Sequence, residues 1–437
     1  MRKKVLVVSV VLLLIFSILA GCGQQPAEQT SDSGADSENG APVEKTKLEI
    51  WVYDEFYKQG DNSPIAQSTK KFLEDNPDLE ITFIPTPYGS TSYRDKYIQA
   101  ANGGGGPDII LSDNIWVPQL AAMELIHPLT DKLGAKKDEF FQGPIDAATL
   151  NGDIYGVPFD AGSMVLFYNK TAFEKAGLDP EKPPKTWDEF KAAAHAVTKD
   201  GTYGYGLMGG WGGSFEWLPW LWQNGGDILD ESGTKVAFNN EAGMETTEFF
   251  LNLITKEGVV PEAALAWKSW DELVAAFSNQ TIAMVQGMTV MLQGLYAQEN
   301  IDFEWGVAPL PGKVTQANTL GGGHWVVNKN SNKLDAAWRW IDYISSSENL
   351  GMLDAYSRIS ARRDAAEYQE LLKNDKNLLV FFEALEYSRP RPIIPEWTQI
   401  DYDTIQPAFM RVIHEGADIR EVMNEAAEIS NKILAGE

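Results

Sequence analysis

Four tryptophans lie close together in one short segment of the chain, which reads GGWGGSFEWLPWLWQNGG from 209 to 226. They are Trp211, Trp217, Trp220 and Trp222. A tryptophan joins a large apolar ring to one polar N–H group, so such a cluster suits a packed core, a surface that dips into a membrane, or a platform on which a flat ligand stacks. Each of these roles implies a different protein.

Residue types that bind metals or act as nucleophiles are scarce. The chain has a single cysteine, Cys22, and four histidines that lack the HxxxH or HExxH spacing of a zinc site. We therefore expect no disulfide, no bound metal and no cofactor. The four glycines at 103–106 precede a predicted strand, whereas a phosphate-binding loop follows one, so we interpret them as a turn.

Carboxylates directly follow two predicted strands. Asp54 comes beside Tyr53 after the run KLEIWV, and Asp113 and Asn114 come after PDIIL. In open α/β sheets, the loops at the carboxyl ends of the strands gather the ligand-binding groups. Carboxylates and amides make paired hydrogen bonds to neighbouring hydroxyls, but a solvated turn or a turn cap uses the same residue types. On the residues alone, both interpretations stay open.

The elements that position these carboxylates alternate between strand and helix. KLEIWV marks a first strand, residues 64–76 a helix, and LEITFIP a second strand. A helix at about 93–101 then leads to a buried strand at Ile109–Leu111. This order predicts parallel β-α-β units. With 437 residues, the chain is also too long for one ordinary core, so we expect two lobes.

The amino-terminal residues have the pattern of an export signal. Three basic residues at 2–4 precede an uncharged apolar run, and the sequence LAGC follows. The apolar run is shorter than the roughly 20 residues that span a membrane, which argues against the alternative of an uncleaved transmembrane helix. LAGC resembles the lipobox of bacterial lipoproteins, which implies a signal peptide at 1–21 and a lipid anchor on Cys22.

The segment after Cys22 is predicted to be a tether, and the overall charge excludes one class of partner. Residues 23–47 contain no aromatic residue, leucine or isoleucine, so we predict a flexible tether over 22–47 that includes the lipidated cysteine. The formal net charge of the chain is −26. Such an acidic surface repels phosphate backbones, so nucleic-acid binding is excluded.

Four segments show a resemblance to a known family: NGDIYGVPFDAGSMVLFYNK (151–170), PPKTWDEF (183–190), LGGGHWVVNKNSNKLDAAWRWIDYI (320–344) and the segment beginning RPIIPEWTQ (391–434). They are similar to the extracellular solute-binding proteins of the maltose-binding type, which serve ABC sugar importers. The resemblance implies an α/β, two-lobed periplasmic-binding-protein-like fold (type II), with a ligand cleft between lobes joined by a hinge. The implied lobes are 48–158 plus 319–345 (N-terminal) and 163–313 plus 350–437 (C-terminal).

The same resemblance implies which residues border the cleft. It places Asp160, beside Phe159, on a crossing between the lobes, and it places His324 and Trp325 on a loop before a strand. Arg358 lies in SRISARRD, where many relatives have a proline that this chain lacks. The complete set of predicted ligand-binding residues is Tyr53, Asp54, Asp113, Asn114, Phe159, Asp160, Trp211, Glu216, Trp217, His324, Trp325, Arg358 and Trp397.

This resemblance assigns different roles to different tryptophans of the cluster. FEWLPWLWQ matches the start of a helix in the second lobe, with Pro219 in its first turn, and helical spacing predicts that Trp220 lies in a core. Trp211 is flanked by glycines, so we expect it on a loop that faces the cleft, where it stacks on a sugar ring. Glu216 and Trp217 are its predicted neighbours, and Trp397 is either a cleft wall or part of the core.

The sequence therefore predicts a membrane-anchored receptor that binds a carbohydrate, preferably an oligosaccharide, by lobe closure and delivers it to the permease subunits of an ABC transporter. We expect a monomer without enzymatic activity on the extracytoplasmic face of the cell membrane, at the surface of a one-membrane bacterium more than in a periplasm. Two alternatives remain. One is a secreted glycoside hydrolase, since tryptophans and carboxylates also suit that reaction, and the other is the same fold with a non-sugar solute.

Overall fold

The computed structural model describes residues 44–87, 92–211, 213–298 and 300–437, except for the side chain of Trp211. The predicted signal peptide, the anchor at Cys22 and the tether up to residue 43 lie outside these residues. Within the described ranges, no helix has both the length and the apolar character needed to cross a membrane.

The strands are β1 (Thr46–Tyr53), β2 (Leu79–Thr86), β3 (Ile109–Asp113), β4 (Thr149–Leu150), β5 (Asp153–Ile154), β6 (Val157–Pro158), β7 (Asp160–Ala161), β8 (Val165–Asn169), β9 (Met284–Gly287), β10 (Trp305–Ala308), β11 (Asn318–Thr319), β12 (Gly323–Val327), β13 (Ile359–Ser360) and β14 (Ser388–Arg389). 

The α-helices are α1 (Pro64–Asp75), α2 (Ser92–Asn102), α3 (Val117–Ala122), α4 (Thr130–Leu133), α5 (Gln142–Ala147), α6 (Lys170–Lys175), α7 (Trp187–Val197), α8 (Ser214–Gln223), α9 (Glu241–Thr255), α10 (Trp270–Ser278), α11 (Thr289–Tyr296), α12 (Leu334–Ile344), α13 (Ala365–Tyr368), α14 (Glu370–Asn374), α15 (Lys376–Ala384), α16 (Trp397–Ile400), α17 (Gln406–Glu415) and α18 (Ile419–Leu434). Short 3₁₀ helices include Asp54–Tyr57, Asn114–Trp116, Gly209–Trp211 and Glu262–Ala266, and Asp401–Ile405 is a π-helix.

The first lobe is built on a five-stranded sheet with the order β2-β1-β3-β12-β6. Strand β1 runs parallel to β2 and β3, which confirms the predicted β-α-β units, and β12 runs antiparallel to β3 and β6. Strand β1 begins at Thr46, before the predicted start, because Thr46 and Lys47 pair with Leu79 and Glu80 of β2. The last two positions assigned to the tether therefore belong to the sheet.

The second lobe is built on an antiparallel sheet with the order β10-β8-β9. Residues buried from α7, α8, α9, α17 and α18 form one apolar core with side chains of strand β8. A second core lies around the five-stranded sheet, and it includes buried side chains between Leu350 and Leu385. The boundaries of the lobes stay a prediction, because the two cores do not follow the expected segments throughout.

Short strands connect the lobes. After β6, the chain enters β7, which pairs with β13, and Gly162 forms a bridge with Gly321 on the returning segment. Added Cβ atoms at Gly162 and Gly321 would lie 2.7 Å and 2.6 Å from the terminal methyl of Met288. A side chain at either position would therefore require the flexible end of Met288 to move.

Three of the four clustered tryptophans belong to the core. Trp217, Trp220 and Trp222 lie on α8 and are at most 1% exposed. The prediction that Pro219 occupies the first turn is wrong, because α8 begins at Ser214 and Pro219 lies inside the helix. Most of the cluster is thus packed between helices, which answers the question of its role for these three side chains.

Replacing Trp220 by alanine tests this packing. The Trp220 ring contacts the rings of Trp187 and Phe190 at centroid distances of 5.4 Å and 5.1 Å. We expect Trp220→Ala to lower the free energy of unfolding by about 3–5 kcal/mol, because a large buried cavity remains. Urea denaturation measures the loss, and Tyr368→Ala, at a ring that is 45% exposed, is the control and should cost about 0.5 kcal/mol or less. Equal losses in the two variants would contradict the assignment of Trp220 to the core.

Candidate ligand-binding site

Polar residues lie at the carboxyl ends of two neighbouring strands of the first lobe. Asp54 is exposed directly after β1, while Tyr53 is buried against Tyr93 with ring centroids 5.1 Å apart. Asp113 ends β3, and its Oδ1 accepts a hydrogen bond from the Ile115 N–H at 3.3 Å. Asn114 follows with 2% exposure. The two strand ends thus bring together the residues that the sequence predicted there.

Asp160 lies on the crossing strand β7 and is 4% exposed. Its Oδ1 accepts a hydrogen bond from the Gly323 N–H at 2.8 Å, and its Oδ2 lies 3.4 Å from Arg358 Nη1. Arg358 Nη2 also donates to Glu55 Oε1 at 2.7 Å. Burial raises the pKa of Asp160, while the Arg358 charge and the Gly323 N–H lower it. The predicted pair Asp160 and Arg358 is therefore in direct contact.

Arg391 brings a segment near the carboxyl terminus to the end of β3. Its Nη2 lies 3.2 Å from Asn114 Oδ1 and 3.4 Å from Asp113 Oδ1. The guanidinium also lies over the ring of Phe215, 5.4 Å from the centroid. Because Phe215 belongs to α8 of the second lobe, Arg391 contacts both lobes.

Asp401 lies at the start of the π-helix Asp401–Ile405, and the charge of Arg391 acts on it. Its Oδ2 accepts a hydrogen bond from Gln406 Nε2 at 3.2 Å. Burial raises the pKa of Asp401 to about 6, although the Ser214 and Gln406 side chains and the Arg391 charge oppose the change. The charge of Arg391 thus acts on a carboxyl group that is costly to ionise.

These charged groups form one continuous feature, which we call the polar layer. The Asp113 charge acts on Asp160, and Asp113 pairs with Gly323 in the sheet, so the two clusters of contacts adjoin. The carboxylates of the polar layer can accept hydrogen bonds from hydroxyls, and its guanidinium and amide groups can donate hydrogen bonds to them. The members of the polar layer are Glu55, Asp113, Asn114, Asp160, Arg358, Arg391 and Asp401.

Sequence reasoning missed three of these members: Glu55, Arg391 and Asp401. The sequence position of Glu55 could have indicated it as a site residue, since it follows the predicted Asp54 in the same loop after β1. Arg391 lies in an irregular segment after β14, and Asp401 lies in a short π-helix, whose turn differs from the α-helical period used to read the sequence.

Other predicted residues are enclosed by the first lobe. His324 and Trp325 were expected on a loop, but they lie inside β12, which begins at Gly323 and is buried along its whole length. The His324 Nε2–H donates to the Pro144 carbonyl at 2.8 Å, and burial lowers the pKa of His324 to about 4. The Trp325 ring packs against Phe159, with centroids 4.9 Å apart. None of these three side chains has more than 2% exposure, so they present no open face to a ligand.

Three of the residues predicted in the second lobe, Glu216, Trp217 and Trp397, are also enclosed. Glu216 is 2% exposed and accepts a hydrogen bond from the Met208 N–H at 3.0 Å, and burial raises its pKa. Trp217 packs edge-on against Phe409 in the core, which also contains Trp397. The backbone of Trp211 ends a 3₁₀ helix, while its side chain lies outside the described residues.

The described residues contain no group of three histidine, cysteine or acidic side chains arranged to hold a metal ion. Two surface depressions of about 540 Å³ and 380 Å³ lie elsewhere, lined respectively by residues such as Lys170 and Glu304, and Ile254 and Val412. Neither contains a member of the polar layer. We regard the polar layer as the better candidate, because it gathers charged groups at strand ends between two apolar cores.

Comparison with known proteins identifies the family of this chain. The family model described as bacterial extracellular solute-binding protein matches residues 58–350. The chain belongs to this family. A solved structure of a family relative, an ABC transporter solute-binding protein from Thermotoga lettingae bound with α-D-tagatose, is 28% identical. It superposes with a TM-score of 0.75, over 89% of this chain and 100% of that one, which confirms the two-lobed fold.

Two relatives of this solute-binding protein are named for different ligands. The arabinooligosaccharide-binding protein of Bacillus subtilis is 25% identical over 359 residues, which cover 80% of this chain and 77% of that protein. The sn-glycerol-3-phosphate-binding periplasmic protein of Escherichia coli is 27% identical over 303 residues, 64% of this chain and 66% of that protein. These two relatives are thus named for an uncharged ligand and for an anionic one.

The raised pKa of Asp401 predicts a specific pH dependence of stability. The folded protein keeps a proton on Asp401 at pH values where the unfolded chain, with an ordinary pKa of 3.8, has lost it. The stability that this proton contributes is complete below pH 3.8 and is lost as the pH rises through about 6. Asp401→Asn removes this titration, so it should stabilise the protein more at pH 7.5 than at pH 4, by at most about 3 kcal/mol.

Urea denaturation of the wild type and the variant at a series of pH values measures this difference. Asp403→Asn, at an exposed neighbour, is the matched control and should follow the wild type throughout. A difference between Asp401→Asn and the wild type that stays constant from pH 4 to 7.5 would show that Asp401 does not titrate as its burial requires.

Proposed function

We propose that this solute-binding protein is the receptor component of an ABC importer and that its solute is a carbohydrate. The observation on which this proposal rests is the polar layer between the lobes, where carboxylates and guanidinium groups face one another. The tagatose-bound structure and the arabinooligosaccharide-binding relative support a sugar as the solute. The carboxylates act as hydrogen-bond acceptors and not as catalysts, so the protein binds its ligand without turnover.

Lobe closure around the ligand is the proposed signal to the transporter. Arg391 contacts Phe215 of the second lobe and the end of β3 in the first lobe, so a ligand at this position touches both lobes. A ligand that makes contacts with both lobes only when they are closed stabilises the closed form by that difference in affinity. The glycine bridge between Gly162 and Gly321 is the proposed hinge.

The location and the partners follow from the sequence. The lipobox at Cys22 supports a lipid anchor on the extracytoplasmic face of the membrane, with the tether between the anchor and the lobes. We propose a monomer that delivers its sugar, an oligosaccharide in preference to a single ring, to permease subunits at the surface of a one-membrane cell.

Trp211 supplies the proposed stacking platform. Its backbone lies in the 3₁₀ helix Gly209–Trp211, which precedes α8 in the chain. This 3₁₀ helix packs on the 3₁₀ helix Glu262–Ala266. Gly210 donates to the Trp267 carbonyl at 2.9 Å, which fixes the position of this turn. An aromatic ring there would cover the C–H face of a sugar, while the polar layer binds its hydroxyls.

A thermal-shift screen tests the function and the role of Trp211 together. Because a ligand that binds only the native state raises the melting temperature, at least one of D-tagatose, maltose and arabinotriose should stabilise the wild type. For that sugar, Trp211→Ala should raise the dissociation constant tenfold or more, while Trp211→Phe, which keeps an aromatic ring, should retain most of the affinity. Without sugar, the melting temperatures of both variants should stay near that of the wild type.

Two results would contradict the proposal. An unchanged melting temperature with every sugar would contradict the carbohydrate ligand. Continuous release of new reducing ends from arabinotriose or maltose would indicate a glycoside hydrolase in place of a receptor.

A further inference from the structure

The turn that precedes β13 is hydrogen-bonded on two sides. The Tyr356 hydroxyl donates to the Phe56 carbonyl at 2.8 Å and accepts from the Ile65 N–H at 3.1 Å, and both partners lie in the segment after β1. On the other side, Gln293 Nε2 of α11 donates to the Tyr356 carbonyl at 3.2 Å and to the Ser357 carbonyl at 3.0 Å. The turn therefore connects the first lobe to the helix that follows β9 of the second-lobe sheet.

The backbone of Ser357 has a conformation that residues with a Cβ atom disfavour. Its φ is 50° and its ψ is 39°, which lie in the left-handed region. A residue other than glycine keeps this conformation where the surrounding structure restrains it. The carbonyls of Tyr356 and Ser357 belong to the two peptide groups that flank the Ser357 Cα atom. The single amide of Gln293 thus restrains both of these peptide groups.

Arg358 follows this left-handed residue directly. Its guanidinium lies between Glu55 and Asp160, with nitrogen–oxygen distances of 2.7 Å and 3.4 Å. The contact with Asp160 is close to the outer limit of a hydrogen bond, so a small rotation of the backbone at Ser357 would break it. The position of the guanidinium in the polar layer therefore depends on the conformation of the turn.

Gln293 has the chemistry that this turn requires. An amide nitrogen carries two hydrogens, so one glutamine side chain can serve two carbonyls at once. Gln293 is partly exposed and is not a member of the polar layer. Its contacts with the turn are made to backbone carbonyls, which have the same chemistry whatever side chains the turn carries.

We propose that Gln293 is a positioning residue for solute binding: from α11 it holds the left-handed turn at Ser357, and it thereby places Arg358 against Asp160. This inference rests on the proposed function, because Gln293 acts on the sugar through Arg358 and does not contact the sugar itself. The contact between α11 and the turn thus contributes to affinity from outside the polar layer.

Hydrogen–deuterium exchange with matched variants tests whether Gln293 holds the turn. Gln293→Met has a similar shape but donates no hydrogen bond, whereas Gln293→Lys places an ammonium group with three donors near the same carbonyls. We expect the peptide that covers 353–360 to exchange at least tenfold faster in Gln293→Met than in the wild type, and within twofold of the wild type in Gln293→Lys. Gln298→Met, at an exposed position after α11, is the control and should also stay within twofold.

The Nε–H signal of Arg358 in heteronuclear NMR spectra tests whether the turn positions this side chain. Arg358→Lys lacks the signal and so assigns it. We expect the signal to shift and broaden in Gln293→Met, because the guanidinium loses its fixed place between two carboxylates, and to stay unchanged in Gln293→Lys and Gln298→Met. A role of Gln293 in stability alone would leave this signal of the folded protein where it is in the wild type.

Isothermal titration calorimetry measures the consequence for binding. The probe is the sugar that stabilises the wild type most among D-tagatose, maltose and arabinotriose. Its dissociation constant should rise at least fivefold in Gln293→Met and stay within twofold of the wild type in Gln293→Lys and Gln298→Met. Gln293→Ala is a second variant without a donor and should match Gln293→Met, so the test stays decisive if one of the two folds poorly.

The possible failures are distinguishable. If the wild type binds none of the sugars, the proposed function is wrong, and with it the role of Gln293 in binding. If the wild type binds a sugar but exchange of 353–360 is the same in Gln293→Met, the function stands and the positioning role is wrong. If exchange rises while the Arg358 signal and the sugar affinity stay unchanged, Gln293 holds the turn without positioning Arg358, which also overturns the proposal.

Discussion

Charged groups between two apolar cores have to neutralise one another, and the interior of this protein is arranged around that constraint. Asp160 has 4% exposure, so its ionised form depends on the Gly323 N–H and on Arg358. The start of β12 and the turn before β13 each contribute one of these partners, and Arg358 in turn pairs with Glu55 in the loop after β1. The same constraint applies to Arg391, which needs Asp113 and Asn114 at the end of β3. The ion pairs thus determine where the lobes meet.

The connection between the lobes combines this charge pairing with close packing of two glycines against a methionine side chain. Gly162 and Gly321 pair next to the Met288 methyl, which would have to move if either position carried a Cβ atom. Close to them, β7 and β13 bring Asp160 next to Arg358. A change in the angle between the lobes would therefore pass through the same few residues that neutralise the buried carboxylate. Under the proposed mechanism, ligand binding and lobe closure would depend on one set of contacts.

Much of the fold could be predicted from the sequence because it depends on local periodicity. The β-α-β order before Asp113 and the burial of Trp220 follow from strand and helix spacing. His324 and Trp325 could not be placed this way, because three preceding glycines suggest a loop, whereas the strand begins at Gly323 and pairs on both edges. Arg391 could not be found either, since its position depends on contacts with residues more than 200 positions earlier in the chain.

The family and the positions of Asp160 and Arg358 came from motif resemblance, which preserves the order of segments but not the direction of each side chain.

The most direct test of the proposed ligand site is a crystal structure of the protein with the sugar that stabilises it most. The proposed ligand site requires one sugar between the lobes, within hydrogen-bonding distance of Arg391 and of at least one carboxylate at the end of β3 or on β7. A sugar that contacts only one lobe, or that lies in the depression lined by Lys170 and Glu304, would contradict it.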